Sequence, residues 1–317
     1  MVLPVLGIVL GLALLTVAAD QFVLGATRLA IRLRLSTVVI GAVVIGFGTS
    51  APELVVSVLA GLHGSLDLAV GNIVGSNVAN LTLVLGIAAM IGPVSVRWPV
   101  LRREAPLALG LVVLFGLLLL DGTLTGLQGA LLAGALVAAL AVTLWSAHRD
   151  RASTPADAVA AYVDSGGRLN LPREVTRTLL GLLATLAAAQ VLVVSASEVA
   201  RELGLSEAFI GLTVVAVGTS LPELATAIQA ARRGETDLLI GNLLGSNIFN
   251  SGAVGAAAAL AGAGQPIGPT ISGLGVWVMI GTATLATIFM LTNRAVGRIE
   301  GLILLTVYLA ALPLLAG

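Results

Sequence analysis

Ten stretches of mostly apolar residues divide the chain, and short charged or polar intervals separate them. A helix needs about 20 apolar residues to cross the hydrocarbon core of a bilayer. Only helices and closed barrels satisfy their backbone hydrogen bonds there. The sequence therefore predicts an all-α membrane protein with ten transmembrane helices. The predicted spans are residues 3–27, 36–61, 68–92, 104–121, 124–147, 174–200, 206–231, 238–262, 270–293 and 298–316.

Composition excludes most classes of soluble protein. Charged residues make up 10% of the chain, whereas a soluble domain carries about 25%. There is no cysteine and there are two histidines, which excludes disulfides and thiolate metal sites and argues against a multi-histidine zinc site. The net charge is zero, which argues against a nucleic-acid partner. The lipid bilayer is the predicted environment, and neither a cofactor nor an obligatory protein partner is predicted.

The arginines predict the orientation, because all 16 basic residues are arginine. If the loops alternate between two sides, 15 of the 16 fall on one side and Arg201 alone falls on the other. Cytoplasmic loops carry the positive excess. We therefore expect the loop at 148–173 to be cytoplasmic and both termini to lie outside, in an inner (plasma) membrane.

One pattern occurs twice in the chain, at a constant offset of 170 residues. Residues 41–53 match 211–223 at 7 of 13 positions, and 71–80 match 241–250 at 6 of 10. Because the repeat spans five predicted helices, an odd number, its second copy is inverted in the membrane. Inverted repeats recur in secondary transporters, with the substrate site at the midplane. The predicted organisation is a five-helix repeat at 1–147, a linker at 148–173 and an inverted five-helix repeat at 174–317.

Glu53 and Glu223 occupy equivalent positions inside two apolar spans. An ionised group near the membrane centre costs several kcal/mol and by default marks an ion or substrate pathway. Pro52 and Pro222 lack a backbone N–H and free carbonyl oxygens in the preceding turn. Carboxylate, hydroxyl and carbonyl oxygens suit a hard cation, and the alternative is a structural carboxylate beside a proline kink. The predicted donors in these spans are Glu53, Glu223, Thr49, Ser50, Thr219, Ser220 and the carbonyls of Gly46 and Ala216.

A polar stripe follows each glutamate span in the next helix. Ser76 and Asn80 are four residues apart and share one helix face, as do Ser246 and Asn250. These two pairs are predicted ligands, and the alternative is interhelical hydrogen bonding worth about 0.6 kcal/mol each. The other amides of these stripes, and Asp20 in the first span, are not predicted ligands. We expect structural roles for Asn72, Asn77, Asn242 and Asn247, and a structural or gating role for Asp20.

The motifs at 48–53 and 71–80, with their second copies, resemble the two repeats of the sodium/calcium exchanger branch of the calcium/cation antiporters, in its prokaryotic type. The resemblance covers the whole membrane plan. It implies that spans 2, 3, 7 and 8 surround the ions, that spans 1 and 6 slide across them, and that three Na⁺ exchange for one Ca²⁺. Some relatives carry Asp where this chain has Asn250, including potassium-requiring exchangers, which argues against a potassium requirement.

The predicted function is a secondary antiporter, not an enzyme, that exchanges Na⁺ for Ca²⁺ by alternating access at one shared midplane site. One alternative is a Ca²⁺/H⁺ antiporter with the same fold, in which a glutamate carries the proton. Another is a cation channel lined by the same carboxylates. An intramembrane hydrolase is excluded, because the predicted spans contain no histidine and no paired aspartates.

Overall fold

The computed structural model describes residues 2–33, 35–150, 170–203 and 216–316, and these residues form ten helical segments, numbered here as spans 1 to 10. Five are unbroken helices: span 1 is Val2–Leu33, span 4 is Glu104–Leu119, span 5 is Gly126–Asp150, span 6 is Leu171–Glu202 and span 10 is Arg298–Ala316.

The other five spans combine α-helix with breaks or turns of π-helix. Span 2 joins Thr37–Ile40, the π-helix Gly41–Gly46, Phe47–Thr49 and Ala51–Leu62; span 7 joins Ala216–Thr219 and Leu221–Arg232. Span 3 joins Leu66–Ala79, the π-helix Asn80–Val84 and Leu85–Ile91; span 8 joins Thr236–Phe249, the π-helix Asn250–Val254 and Gly255–Ala261. Span 9 joins the π-helix Thr270–Gly275 and Val276–Asn293, and a short helix, Trp98–Arg102, precedes span 4.

The ten segments agree with the ten predicted helices. Six of the described helices are long and apolar enough to cross a membrane, or seven if the two halves of span 2 count as one. Span 4 has only 16 residues, and span 7 is described only from Ala216. Residues 206–215 of the predicted seventh span lie outside the described residues, as does most of the predicted linker at 148–173.

Burial separates central from peripheral spans. In spans 3 and 8, 78% of the most apolar window is buried inside the protein, compared with 28% in spans 1 and 6. Spans 3 and 8 therefore occupy the centre, where their polar stripes contact other helices. Spans 1 and 6 lie at the edge and expose apolar residues, including Leu10 and Leu183.

The two repeats pack against each other in antiparallel fashion, as the inverted repeat requires. Span 1 lies along span 6, with Gly11 against Leu192 and Gly181 against Phe22. A Cβ atom at Gly181 would lie 2.7 Å from the Phe22 backbone, so glycine permits this close approach. In the same way, a Cβ atom at Gly46 in span 2 would lie 2.8 Å from the backbone nitrogen of Ser246 in span 8.

Spans 2 and 7 break at equivalent residues, Ser50 and Ser220, and the two halves of span 2 meet at 42°. Each break is followed by a proline in the first turn of the next helix. Proline is well tolerated there, because a first-turn N–H has no helical partner. The break therefore falls just before the proline, and each glutamate stands in the first turn of the second half-helix.

On the arginine-rich side, two loops are joined by a short antiparallel strand pair. Strand β1 (Val94–Ser95) follows span 3, strand β2 (Ala295–Val296) follows span 9, and Val94 pairs with Val296. Arg97 then reaches Asp237 in the first turn of span 8, at 3.1 Å. These contacts connect loops that belong to different repeats.

Candidate cation site

The two glutamates lie at the centre of the protein and are almost completely buried, Glu53 at 1% exposure and Glu223 at 0%. Ser50 of span 2 donates a hydrogen bond to Oε1 of Glu223 at 2.9 Å. Ser76 of span 3 donates to Oε1 of Glu53 at 3.3 Å. The first of these bonds joins the two repeats, so the glutamates belong to one site. The second carboxylate oxygen, Oε2, of each glutamate is buried and has no hydrogen-bond partner among the described residues.

The hydroxyl groups before each break surround these carboxylates. The Thr219 hydroxyl contacts the carboxylate of Glu53, and the Thr49 hydroxyl, which donates to the Ile45 carbonyl at 3.0 Å, lies beside the carboxylate of Glu223. The hydroxyl of Ser220 is buried and has no hydrogen-bond partner in the described part of the chain. Each glutamate is therefore contacted from the repeat to which it does not belong.

The serine and asparagine pairs of spans 3 and 8 form the remaining wall. Ser246 donates to the carbonyl oxygen of Gly46 at 3.1 Å, whereas its counterpart Ser76 donates to the carboxylate of Glu53. Asn80 uses its amide nitrogen in a hydrogen bond to Asn247, which leaves its Oδ1 without a partner among the described residues. Neither polar atom of the Asn250 side chain has a partner there. Of the predicted donors, only Ala216 is described by its backbone alone, at the start of its helix.

Five buried oxygen atoms at this site thus lack a hydrogen-bond partner within the described residues. Leaving a buried polar group unpaired costs about 1–3 kcal/mol, so a cluster of such oxygens is a candidate position for a cation. Within the described residues, no group of three or more His, Cys, Asp or Glu side chains could hold a metal ion. Two carboxylates among neutral oxygens suit a hard cation that is bound and released. The five atoms are Oε2 of Glu53 and Glu223, Oγ of Ser220, and Oδ1 of Asn80 and Asn250.

Both helices that carry the asparagines change to π-helix at those residues. The π-helix of span 3 begins at Asn80, and that of span 8 begins at Asn250. A π turn inside an α-helix is rare and is frequently found at functional sites. The sequence analysis did not predict these turns, although the 170-residue offset relates Asn80 to Asn250 and so makes a turn at both positions consistent with the repeat.

Two further asparagines support the site from outside. Asn72 donates to the Ser57 hydroxyl at 3.1 Å and to the Glu53 carbonyl at 3.3 Å. Asn242 donates to the Thr226 hydroxyl at 3.1 Å, and Thr226 in turn donates to the Glu223 carbonyl at 2.9 Å. These bonds hold the helical turn that carries each glutamate. The sequence analysis missed Ser57 and Thr226, whose only signal is their position one turn after the glutamates.

A cavity of about 550 Å³ lies between spans 2, 6 and 7 and borders Thr219 of the site. Span 6 lines it from Leu186 to Arg201, and Pro52 and Pro222 line it from spans 2 and 7. At 1.5 Å per residue, this part of span 6 is about 22 Å long. Arg201 is the one arginine on its side of the predicted topology, so the cavity extends toward the side predicted to be external.

Span 1 packs against the part of span 7 that carries Glu223. Leu15 and Ala19 of span 1 form a buried apolar cluster with Ala225 of span 7, and Leu221 packs against it. At the end of span 7, about two turns after Ala225, Arg233 is tied to span 1, because Asp20 Oδ1 accepts hydrogen bonds from Nε of Arg233 at 2.9 Å and from Nη2 at 2.6 Å. The cavity thus lies between spans 2, 6 and 7, and span 1 packs against spans 6 and 7.

The Asp20–Arg233 ion pair has no charged counterpart in the other repeat. The 170-residue offset places Gln190 opposite Asp20 and His63 opposite Arg233. Burial, followed by the charge of Asp237, raises the pKa of the Glu235 carboxyl in the same loop, and Arg233 lowers it. The ion pair thus stabilises the conformation in which span 1 packs against span 7. A structural or gating role of Asp20 requires such a contact.

We expect Asp20→Asn to shift the protein away from this conformation by up to about fivefold, since an ion pair with both side chains about a third exposed is worth at most about 1 kcal/mol. The chain has no cysteine, so Ser197→Cys provides a single reporter on the cavity wall. Its maleimide labelling in detergent is expected to slow in the Asp20→Asn background. Adding Arg233→Gln should cause no further slowing, and an unchanged rate in both backgrounds would contradict a gating role.

Comparison with known proteins identifies the family. The profile described as sodium/calcium exchanger protein matches residues 3–145 and 175–316. The chain belongs to this family. It is 37% identical to the putative antiporter CaxA of Alkalimonas amylolytica over 98% of this chain and 97% of that protein. It is 30% identical to the sodium/calcium exchanger MaX1 of Methanosarcina acetivorans over 97% of each chain.

A solved structure of the sodium-calcium exchanger NCX_Mj, soaked with Na⁺ and Ca²⁺, has the same fold. It matches with a TM-score of 0.85 and 29% sequence identity, covering 99% of this chain and 98% of that one. The predicted prokaryotic-type exchanger family and the fold of two inverted five-helix repeats are thereby confirmed. The protein is a membrane-embedded antiporter of Ca²⁺ and another cation, and its family comprises transporters rather than enzymes.

Proposed function

We propose that the protein exchanges Na⁺ for Ca²⁺ at one central site shared by both ions. The observation that carries this proposal is the cluster of buried oxygens without hydrogen-bond partners in the described residues, of which only two belong to carboxylates. Ca²⁺ takes six to eight oxygen ligands, and this cluster, with the adjoining hydroxyls, offers that number. The proposed ligands are Glu53, Glu223, Thr49, Ser50, Thr219, Ser220, Ser76, Ser246, Asn80, Asn250 and the carbonyls of Gly46 and Ala216.

Neutral oxygens favour Na⁺ over H⁺ as the second ion. A proton needs only a carboxylate oxygen, whereas a dehydrated Na⁺ needs several oxygens to replace its water. Ser220, Asn80 and Asn250 supply such oxygens without adding charge. The name of MaX1 and the description of NCX_Mj, each a sodium and calcium exchanger, support the same coupling.

The packing around the site supports alternating access rather than an open pore. The cavity extends along span 6 to Thr219, and span 1 packs against spans 6 and 7. A channel in its conducting state requires a continuous path, whereas an antiporter exposes its site to one side at a time. Spans 1 and 6 are equivalent helices of the two repeats and pair in antiparallel fashion. The same packing can therefore form with the two helices exchanged, toward the opposite side of the membrane.

The test is ⁴⁵Ca²⁺ uptake into proteoliposomes that are preloaded with Na⁺, with K⁺ or with acidic buffer. Na⁺-loaded vesicles are expected to accumulate ⁴⁵Ca²⁺, and the K⁺-loaded and acid-loaded vesicles are not. Uptake driven by the pH gradient alone would replace Na⁺ by H⁺ in the proposal. Flux that needs no counter-ion and does not saturate would indicate a channel.

Thr219→Val is expected to weaken the Na⁺ dependence of transport more than it weakens Ca²⁺ binding. The substitution removes a neutral oxygen but keeps the shape and both carboxylate charges, which dominate the attraction for a divalent ion. The measurement compares the Na⁺ concentration for half-maximal exchange with the dissociation constant for ⁴⁵Ca²⁺. Thr282→Val is the control, because its buried hydroxyl donates only to the Met279 carbonyl, outside the site. Equal losses for both ions would argue against a preferential role in Na⁺ binding.

We further propose that both termini lie outside an inner (plasma) membrane and that residues 148–173 form a cytoplasmic linker between repeats at 1–147 and 174–317. The 15-to-1 arginine distribution supports this orientation. In intact cells, cysteines at Ala156 and Ser165 should resist an impermeant maleimide, and cysteines added at either terminus should react. Labelling at one terminus only would contradict the inverted arrangement of the repeats in the membrane.

A further inference from the structure

A chain of amide hydrogen bonds connects spans 3 and 8 directly behind the site. Asn247 is fully buried and donates from Nδ2 to the backbone carbonyl of Asn77 at 3.4 Å. This contact fixes its amide plane, so its Oδ1 faces Asn80 and accepts a hydrogen bond from Asn80 Nδ2 at 3.1 Å. Because the nitrogen of Asn80 is held by Asn247, its oxygen is the atom left unpaired among the described residues.

The equivalent hydrogen bond is absent from the other half of the described site. The 170-residue offset relates Asn77 to Asn247 and Asn250 to Asn80. Asn77 donates its amide instead to the hydroxyl of Ser251 at 3.0 Å. Ser251 stands where the first repeat has Leu81, so only the second repeat offers this hydroxyl. Neither polar atom of the Asn250 side chain has a partner within the described residues, so no hydrogen bond there fixes its orientation.

An amide side chain without a hydrogen-bond partner can turn either its oxygen or its NH₂ group toward an ion. Its oxygen attracts a cation, whereas its NH₂ group, a donor, repels one. A partner that binds the NH₂ group removes the unfavourable orientation before the ion arrives. Partners of this kind, one step behind the ligands of a metal ion, typically contribute about 10–100-fold to affinity.

We propose that Asn247 is a positioning residue that orients the Asn80 carbonyl toward the ion, and that the site is asymmetric as a result. Asn80 is a fixed acceptor, and Asn250 is an amide that is free to turn when one ion replaces another. The proposal rests on the proposed function, because it takes Asn80 as an ion ligand. It adds a role for a residue that the sequence analysis interpreted as structural.

The test is a double-mutant cycle in Ca²⁺ binding, measured with ⁴⁵Ca²⁺ by equilibrium dialysis of the purified protein in Na⁺-free buffer. Asn247→Ala is expected to weaken binding about tenfold, the lower end of the range for such partners. In the Asn80→Ala background, Asn247→Ala is expected to cause no further loss, because no carbonyl remains to be oriented. A merely structural role would weaken binding by the same factor in both backgrounds.

The matched control is Asn77→Ala, which removes the equivalent buried amide of the other repeat. Within the described residues, Asn77 makes no hydrogen bond to the Asn250 side chain. Its effect on Ca²⁺ binding is expected to stay within about twofold. If the cavity left by alanine prevents purification, Asn247→Leu removes the same acceptor at similar volume. Equal losses in Asn247→Ala and Asn77→Ala, or additive losses with Asn80→Ala, would overturn the proposal.

Dialysis does not depend on which ion is exchanged for Ca²⁺, so the two proposals fail separately. If uptake follows a pH gradient instead of a Na⁺ gradient, the proposed coupling is wrong and the binding cycle still decides the role of Asn247. If the unmodified protein binds no Ca²⁺, both proposals are overturned.

Discussion

Glu53→Gln and Glu223→Gln are each expected to abolish Ca²⁺ transport while leaving a folded protein. Each substitution keeps the shape of the side chain and removes one of the two negative charges at the site. At an effective dielectric constant of about 20, two unit charges about 4 Å apart interact by about 4 kcal/mol. Since 1.4 kcal/mol corresponds to about tenfold, losing one charge should reduce Ca²⁺ affinity by well over a hundredfold.

The measurement is Na⁺-driven ⁴⁵Ca²⁺ uptake in proteoliposomes, with size-exclusion chromatography and thermal unfolding as tests of folding. Glu104→Gln provides a matched control, because Glu104 is a buried glutamate in the first turn of span 4. It lies outside the site and should retain transport if its substitution leaves the protein folded. Normal exchange in both site variants would show that Glu53 and Glu223 are structural carboxylates.

The elements of the site could be predicted because each depends on local chemistry. A glutamate inside an apolar span is conspicuous, and Pro52 signals an interrupted helix. The 170-residue offset then adds the second copy, Glu223 with Pro222. Even so, the break falls at Ser50 and Ser220 rather than deeper in the preceding turn, because proline fits the first turn of the following helix.

The pairing within the site could not be predicted, because it depends on how the two repeats approach each other. Ser50 donates to Glu223 rather than to its own neighbour Glu53. A sequence repeat gives equivalent residues but not the contacts between copies. The close approach at Gly46, where spans 2 and 8 meet, sets those contacts.

The departures from symmetry were also beyond prediction from the repeat. Ser76 binds a carboxylate, and its counterpart Ser246 binds the carbonyl of Gly46. Asn80 is held by Asn247, while Asn250 is not held by the equivalent residue. The second difference follows from one position at which the repeats differ: the first repeat has Leu81 and the second has Ser251. Its effect becomes visible only when spans 3 and 8 are packed together.

The net charge of the loaded site determines whether membrane voltage drives exchange. The side chains among the proposed ligands comprise four carboxylate, six hydroxyl and two amide oxygens, and only the carboxylates are charged. These twelve oxygens exceed the six to eight that one Ca²⁺ takes, so the site has enough oxygens to hold several Na⁺ at once. With two ionised glutamates, one Ca²⁺ brings the site to zero, two Na⁺ do the same, and three Na⁺ leave it at +1. The resemblance to sodium/calcium exchangers implies three.

We therefore expect exchange to be electrogenic, with one net positive charge entering for each Ca²⁺ that leaves. Each net charge is worth about 2.3 kcal/mol per 100 mV, which corresponds to about a 40-fold change in the Ca²⁺ gradient that a fixed Na⁺ gradient can balance. Proteoliposomes clamped with K⁺ and valinomycin allow this balance point to be measured at several voltages. A balance point that does not move would mean two Na⁺ per Ca²⁺. In that case the surplus oxygens would stabilise partly hydrated ions rather than a third Na⁺.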